Sequence, residues 1–131
     1  MTSDIGVWEP RQPAKLDEAK LQHYIALFAN ADPINLGAAM SDDDVKADAS
    51  LMQLPESAWQ LAEGLDDAGL ESLVRFFTLA EMQLPGWEGG KQSPVIYLVR
   101  IMKARGSFTP ELRKWIKATT DNRYLPYGSV L

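Results

Sequence analysis

Three glycines, a lysine and a serine stand together in GWEGGKQSP, residues 86–94, directly ahead of the apolar run VIYLV. Glycine-rich loops of this kind can bend backbone N–H groups around a phosphate. The nucleotide-hydrolase version needs G-x-x-x-x-G-K-[ST] between a strand and a helix, so that the N–H groups converge and the hydroxyl reaches magnesium. Here three residues rather than four lie between Gly86 and Gly90, Gln92 separates Lys91 from Ser93, and a helical pattern precedes the loop. The motif therefore fails. What it leaves is an interhelical loop and a weaker anion site, with Lys91 beside the free N–H groups of the helix that Ser93 and Pro94 open.

A second set of candidates lies near the carboxy terminus. In TPELRKWIKATTDNRYLPY, Arg113, Lys114 and Lys117 fall on one side of a helical pattern and Arg123 follows it. The preceding helix ends in KARG, and GSFT joins the two, a turn length that suits a helix-turn-helix. These cations could meet phosphates or base edges, or form an ordinary solvated face.

Other chemistry-bearing residues read more plainly. Asp42 to Asp44, with Asp48, lack the alternate ligands, central glycine and distant glutamate of a calcium loop. As the first turn of a helix capped by Ser41 they are fully explained. His23, the only histidine, borders an apolar helix face with no nucleophile or orienting carboxylate near it in sequence. Glu81 and Glu88 flank the glycine loop and would act as general bases only if a cleft brought them together. No catalytic residue, metal site or cofactor is expected.

The aromatic residues Trp8, Trp87, Tyr124 and Tyr127, with Leu125, supply contact area rather than chemistry, and they complete the set of expected partner contacts. The chain end Ser129-Val130-Leu131 also fits the loose pattern captured by peptide-binding sheets.

These residues need elements to hold them. Leu21, Tyr24, Ile25 and Phe28 recur at helical spacing, which predicts a helix that starts between Pro13 and Asp17 and ends near Asn30. Asp32 before Pro33 predicts a short helix to about Met40, weakened by Gly37. A helix over about 42–53 follows, and Pro55 opens another that carries Ala58, Trp59, Leu61 and Ala62 to Gly64. The pattern from about Asp67 to Leu84 is the longest, and its wide apolar face places it at the centre. Ser93-Pro94 and Thr109-Pro110 are paired start signals for helices ending near Arg105 and Asp121.

The sum is an all-α, compact single-domain bundle of about six to seven helices. An extended arm spans 1–12, the helical domain 13–122, and an extended aromatic tail 123–131. At 131 residues and 46% hydrophobic content the chain can bury a continuous core. It has no cysteine, which excludes disulfides and thiolate chemistry. With no signal-like leader and no apolar run near the roughly 20 residues that span a bilayer, it reads as cytoplasmic and not membrane-bound.

The net charge of −5 conceals a division: residues 1–70 carry 13 acidic and 4 basic side chains, and residues 71–131 carry 5 and 9. Either an acidic face meets a basic one within the fold, or the basic half receives an anionic partner. The leading expectation is a small non-catalytic interaction protein, adaptor or regulator, that uses its last helix and tail against a protein partner or a second copy of itself. The alternative is nucleic-acid or small-anion binding through Lys91, Arg113, Lys114, Lys117 and Arg123.

Overall fold

The computed structural model describes residues 15–127, which contain six α-helices and no strand. The helices are α1 (Glu18–Asn30), α2 (Asp42–Asp48), α3 (Glu56–Trp59), α4 (Asp67–Gln83), α5 (Pro94–Arg105) and α6 (Pro110–Thr119). Short 3-10 turns at Leu36–Ala39, Ala49–Gln53, Gln60–Gly64 and Gly90–Gln92 connect them. The fold is all-α, as the periodicity requires.

Most helix starts are set by the caps that their sequences announce. Asp17 accepts from Lys20 N at 2.8 Å, Ser41 from Asp44 N at 3.1 Å, Asp66 from Gly69 N at 2.8 Å and Thr109 from Leu112 N at 3.1 Å. Each satisfies an N–H that the first helical turn leaves without a partner. Gly106 ends α5 at φ +76°, where its N–H returns to Lys103 O and the N–H of Ser107 to Met102 O. A left-handed residue in that place favours glycine.

Three expected helices are shorter than their patterns, the one opened by Pro55 being α-helical over Glu56–Trp59 and tightening to 3-10 geometry over Gln60–Gly64. The stretch from Pro33 narrows to the turn Leu36–Ala39 because Asp32 folds back onto Ile34 N, and Gln83 clamps both Leu36 N and the carbonyl of Pro33 at 2.7 Å. The helix expected over 42–53 tightens to 3-10 geometry after Asp48. That aspartate turns inward, accepting from the Tyr24 hydroxyl at 2.7 Å and from Lys20 Nζ at 3.2 Å.

Helix α4 is the axis of the fold. It packs against α1, α5, α6 and the Leu36–Ala39 turn, and Leu70, Leu73, Val74, Phe76, Phe77 and Ala80 along it are all fully buried. Around Phe76 and Phe77 gather Tyr24, Trp59 and Trp87, with ring centroids 5.0–6.3 Å apart. Offset and edge-on pairs at such spacings add about 0.5–1.5 kcal/mol each beyond the area they bury. One continuous cluster of buried residues runs from Leu21 to Leu125.

Trp87 belongs to this core, which corrects its expected place on a contact surface. It is 0% exposed, and its indole N–H donates to the carbonyl of Val45 at 2.8 Å. The loop around it is polar, but the ring itself points inward and links α2 to α4. Leu125 is corrected likewise, being 2% exposed. Residues 123–127 run as consecutive turns that fold the tail back, so Leu125 and Pro126 enter the core while Tyr127 stays outside. Trp8 and the arm 1–12 lie outside the described residues, as do 128–131.

Trp87→Phe keeps the ring in the cluster but leaves the Val45 carbonyl without its donor. It is expected to cost about 1–3 kcal/mol in urea unfolding with the helical circular dichroism of the folded state unchanged. Gly106→Ala, forced to keep a left-handed φ, should cost about 1–2 kcal/mol by the same measurement.

Candidate interaction surface

The loop that first suggested a phosphate site is organised around a carboxylate of the protein itself. Glu81, near the end of α4, is 7% exposed. Its Oε1 accepts from Gly89 N at 3.1 Å and Asn122 Nδ2 at 3.2 Å, and its Oε2 accepts from the hydroxyl of Ser93. Ser93 in turn caps α5 by accepting from Val95 N at 3.2 Å. The negative group that the amino terminus of α5 attracts is thus already in place. A phosphate there would meet Glu81 at close range, and Lys91 is exposed on the neighbouring 3-10 turn.

Asn122 completes the tie. Its amide also donates to Gly90 O at 2.9 Å, while its Oδ1 accepts from Tyr124 N at 2.9 Å. One carboxylate and one amide therefore join the end of α4, the glycine loop, the start of α5 and the turn after α6. Gly89 has to be glycine for this packing, since a Cβ would lie 2.7 Å from the Cα of Ser93.

Glu81 and Glu88 share a cleft of about 490 Å³ with Asn122, Arg123 and Tyr124. Burial pushes the Glu81 carboxyl above its ordinary value, and the hydrogen bonds from Ser93, Gly89 and Asn122 partly oppose this while the charge of Glu88 adds to it. Both Glu81 oxygens are engaged by donors of the fold, so the group acts as an internal tie. A general base would need a lone pair facing a substrate. His23 is exposed on α1, well separated in the chain from this cleft and not among its lining residues.

The basic residues divide into two groups. Arg100 pairs with Glu56 at 2.7 Å, and Arg105 reaches Leu65 O at 2.7 Å, Asp67 at 3.3 Å and the carbonyl of Glu63. These contacts join the basic half to the acidic half. Lys91, Arg113, Lys114, Lys117 and Arg123 make no ion pair among the described residues, and all five are exposed. Leu112 and Ile116 anchor the other side of α6 in the core, and Trp115 lies half-buried under the guanidinium of Arg75, 4.8 Å from the ring centroid. That anchorage directs Arg113, Lys114 and Lys117 outward together. Arg123 stands beyond them on the turn, and Lys91 is on a separate loop.

Among the described residues, the expected aromatic contacts that keep exposed area lie in the tail. Tyr127 is 39% exposed and Tyr124 is half-buried. Sequence reasoning did not single out Phe108 and Lys103, yet both touch Tyr127: the Phe108 ring centroid is 6.2 Å away at 79°, and Lys103 Nζ lies 4.6 Å from the Tyr127 centroid. That reasoning read Ser93 as the cap of α5 but did not find its tie to Glu81 or the role of Asn122, because a cap and an asparagine in a turn carry no signal of a distant partner.

No helix among the described residues is long and apolar enough to cross a membrane. Comparison with protein-family models, curated proteins and solved structures gives no match.

The raised Glu81 value fixes a sign. The folded protein holds this proton to higher pH than the unfolded chain does, so the stability it confers is fully present below the ordinary value of 4.5 and is lost as pH rises through the raised one. Glu81→Gln can still accept from Gly89 and Asn122 and donate to Ser93. The melting temperature of this variant relative to the parent should therefore climb between about pH 4 and about pH 8. Parallel curves would mean that the charged tie balances its burial, and a relative melting temperature that falls with pH would mean that the tie outweighs it.

Proposed function

We propose that this chain is a small non-catalytic interaction protein that meets an anionic protein partner through the outer face of α6 and the turn that follows it. The observation that carries the reading is the division among the cations. Arg100 and Arg105 are neutralised within the fold, whereas Arg113, Lys114 and Lys117 stand side by side on α6 and make no ion pair among the described residues. Charges gathered on one face raise the rate and specificity of meeting an oppositely charged surface. Apolar docking has less support: Ile34, Met82 and Tyr127 are the large hydrophobic side chains exposed among the described residues, Tyr127 lying by the start of α6 and Met82 by the turn after it. The absence of cysteine from the chain supports a reducing, cytoplasmic setting.

The same cations keep a nucleic-acid reading in view, with α5 and α6 as a helical hairpin packed on α4. The net charge of −5 opposes it through long-range repulsion. The glycine loop adds little to it, since Glu81 occupies the position an anion would take.

Fluorescence anisotropy with labelled poly-glutamate and with labelled single- and double-stranded DNA, across a salt series, tests both readings. Poly-glutamate is expected to bind more tightly, with an affinity that falls as salt rises. Arg113→Ala with Lys117→Ala should weaken it about tenfold while unfolding stability stays within about 0.5 kcal/mol, because exposed charges contribute little to folding. An unchanged affinity in the double variant would remove α6 from the contact surface.

A further inference from the structure

At the amino-terminal end of α6 the surface sinks into a hollow of about 370 Å³. Its walls are Phe108, Pro110 and Tyr127, with Lys103 and Arg113 at the rim, and among the described residues no carboxylate lines it. Phe108 is half-buried and meets the Tyr127 ring edge-on, so the two rings form a continuous aromatic wall. A volume of this size lies at the lower end of the roughly 300–1,000 Å³ of small-ligand sites. It would accept one side chain rather than a helix.

We infer that this hollow takes the aromatic side chain of an acidic peptide segment on the partner, with the flanking carboxylates meeting Lys103 and Arg113. The inference rests on the reading of α6 as the contact surface and adds the class of partner. Three features of the hollow select that occupant. Two cations without a carboxylate beside them complement acidic side chains. An aromatic ring gains from the exposed guanidinium of Arg113 and from edge contacts with Phe108 and Tyr127, whereas an aliphatic chain gains only buried area. A nucleic-acid base would need an open ring face to stack on, and Lys103 Nζ already lies over the Tyr127 ring, with Phe108 packed at 79° to it.

The test uses the full chain labelled with nitrogen-15, titrated at low salt with a blocked heptapeptide in which one phenylalanine is flanked by glutamates. Its counterpart with alanine for phenylalanine, and an oligothymidylate, are the controls. The expected result is amide shift changes concentrated at Gly106, Phe108, Arg113 and Tyr127, with the phenylalanine peptide preferred about tenfold over the alanine peptide. Tyr127→Ala should abolish that preference and leave binding of the alanine peptide intact. Equal affinity for the two peptides, both weakened by Arg113→Ala with Lys117→Ala, would overturn the hollow while leaving α6 as the contact surface. Tighter binding of the oligothymidylate would overturn the partner class. Absence of shifts with every polyanion would remove the α6 reading itself, and with it the hollow. Peptide binding that appears only after residues 128–131 are deleted would assign the hollow to the chain's own end and overturn the inference.

Discussion

Phe76 and Phe77 are neighbours in the chain and both are fully buried, which a helix permits only when it is covered on adjacent sides. Successive side chains on α4 point about 100° apart, so one flank alone cannot shelter both rings. Tyr24 of α1 stacks on Phe76 at 5.1 Å, and Trp59 meets Phe77 edge-on at 5.3 Å. Trp87 closes the remaining side, within 6.1–6.3 Å of both. The placement of α1, the α2 region, α3 and the glycine loop follows from this single requirement. Even the position of the loop after α4 is dictated by a tryptophan that has to return to the rings it has just left.

Within this apolar framework two carboxylates are buried among the described residues, and each is held by donors from other elements of the fold. Asp48 receives the Tyr24 hydroxyl and the Lys20 ammonium, which ties α1 to α2, and burial with the Asp48 contact pushes the Tyr24 hydroxyl well above its ordinary value. Glu81 receives Gly89, Ser93 and Asn122, which ties the loop and the final turn to α4. Buried polar groups without partners would be costly, so these networks constrain which elements meet and in what register. They act as locators between elements whose apolar faces alone would allow sliding.

The electrostatic division of the chain acquires meaning from the same geometry. The acidic and basic halves do meet, through Arg100 with Glu56 and Arg105 with Asp67, but these are partly exposed pairs of modest strength. They use only part of the positive charge. The burial of Leu112 and Ile116 turns the remaining cations of α6 toward solvent, next to an aromatic wall formed by Phe108 and Tyr127. Charge, anchorage and aromatic surface thus coincide at one end of the bundle.

Helix identity was legible in the sequence wherever a cap and a periodic face agreed. Pro94–Arg105 and the region 67–83 follow directly from Ser93-Pro94, Gly106 and the spacing of Leu70, Val74 and Phe77. The outward direction of Arg113, Lys114 and Lys117 was legible for the same reason, since local periodicity decides which side of a helix is apolar. Helix lengths at Pro33 and after Asp48 were not, because the clamp by Gln83 and the burial of Asp48 are long-range contacts that override local propensity. Nor was the fate of Trp87 and Leu125, which sit in polar or proline-broken stretches that resemble surface. Sequence alone determined the all-helical class, the caps and the sign of each helix face, because these depend on residues within one or two turns. Which aromatic rings became core, which carboxylate took the loop and which cations stayed unpaired were decided only by tertiary packing, where residues tens of positions apart compete for the same space and the same hydrogen bonds.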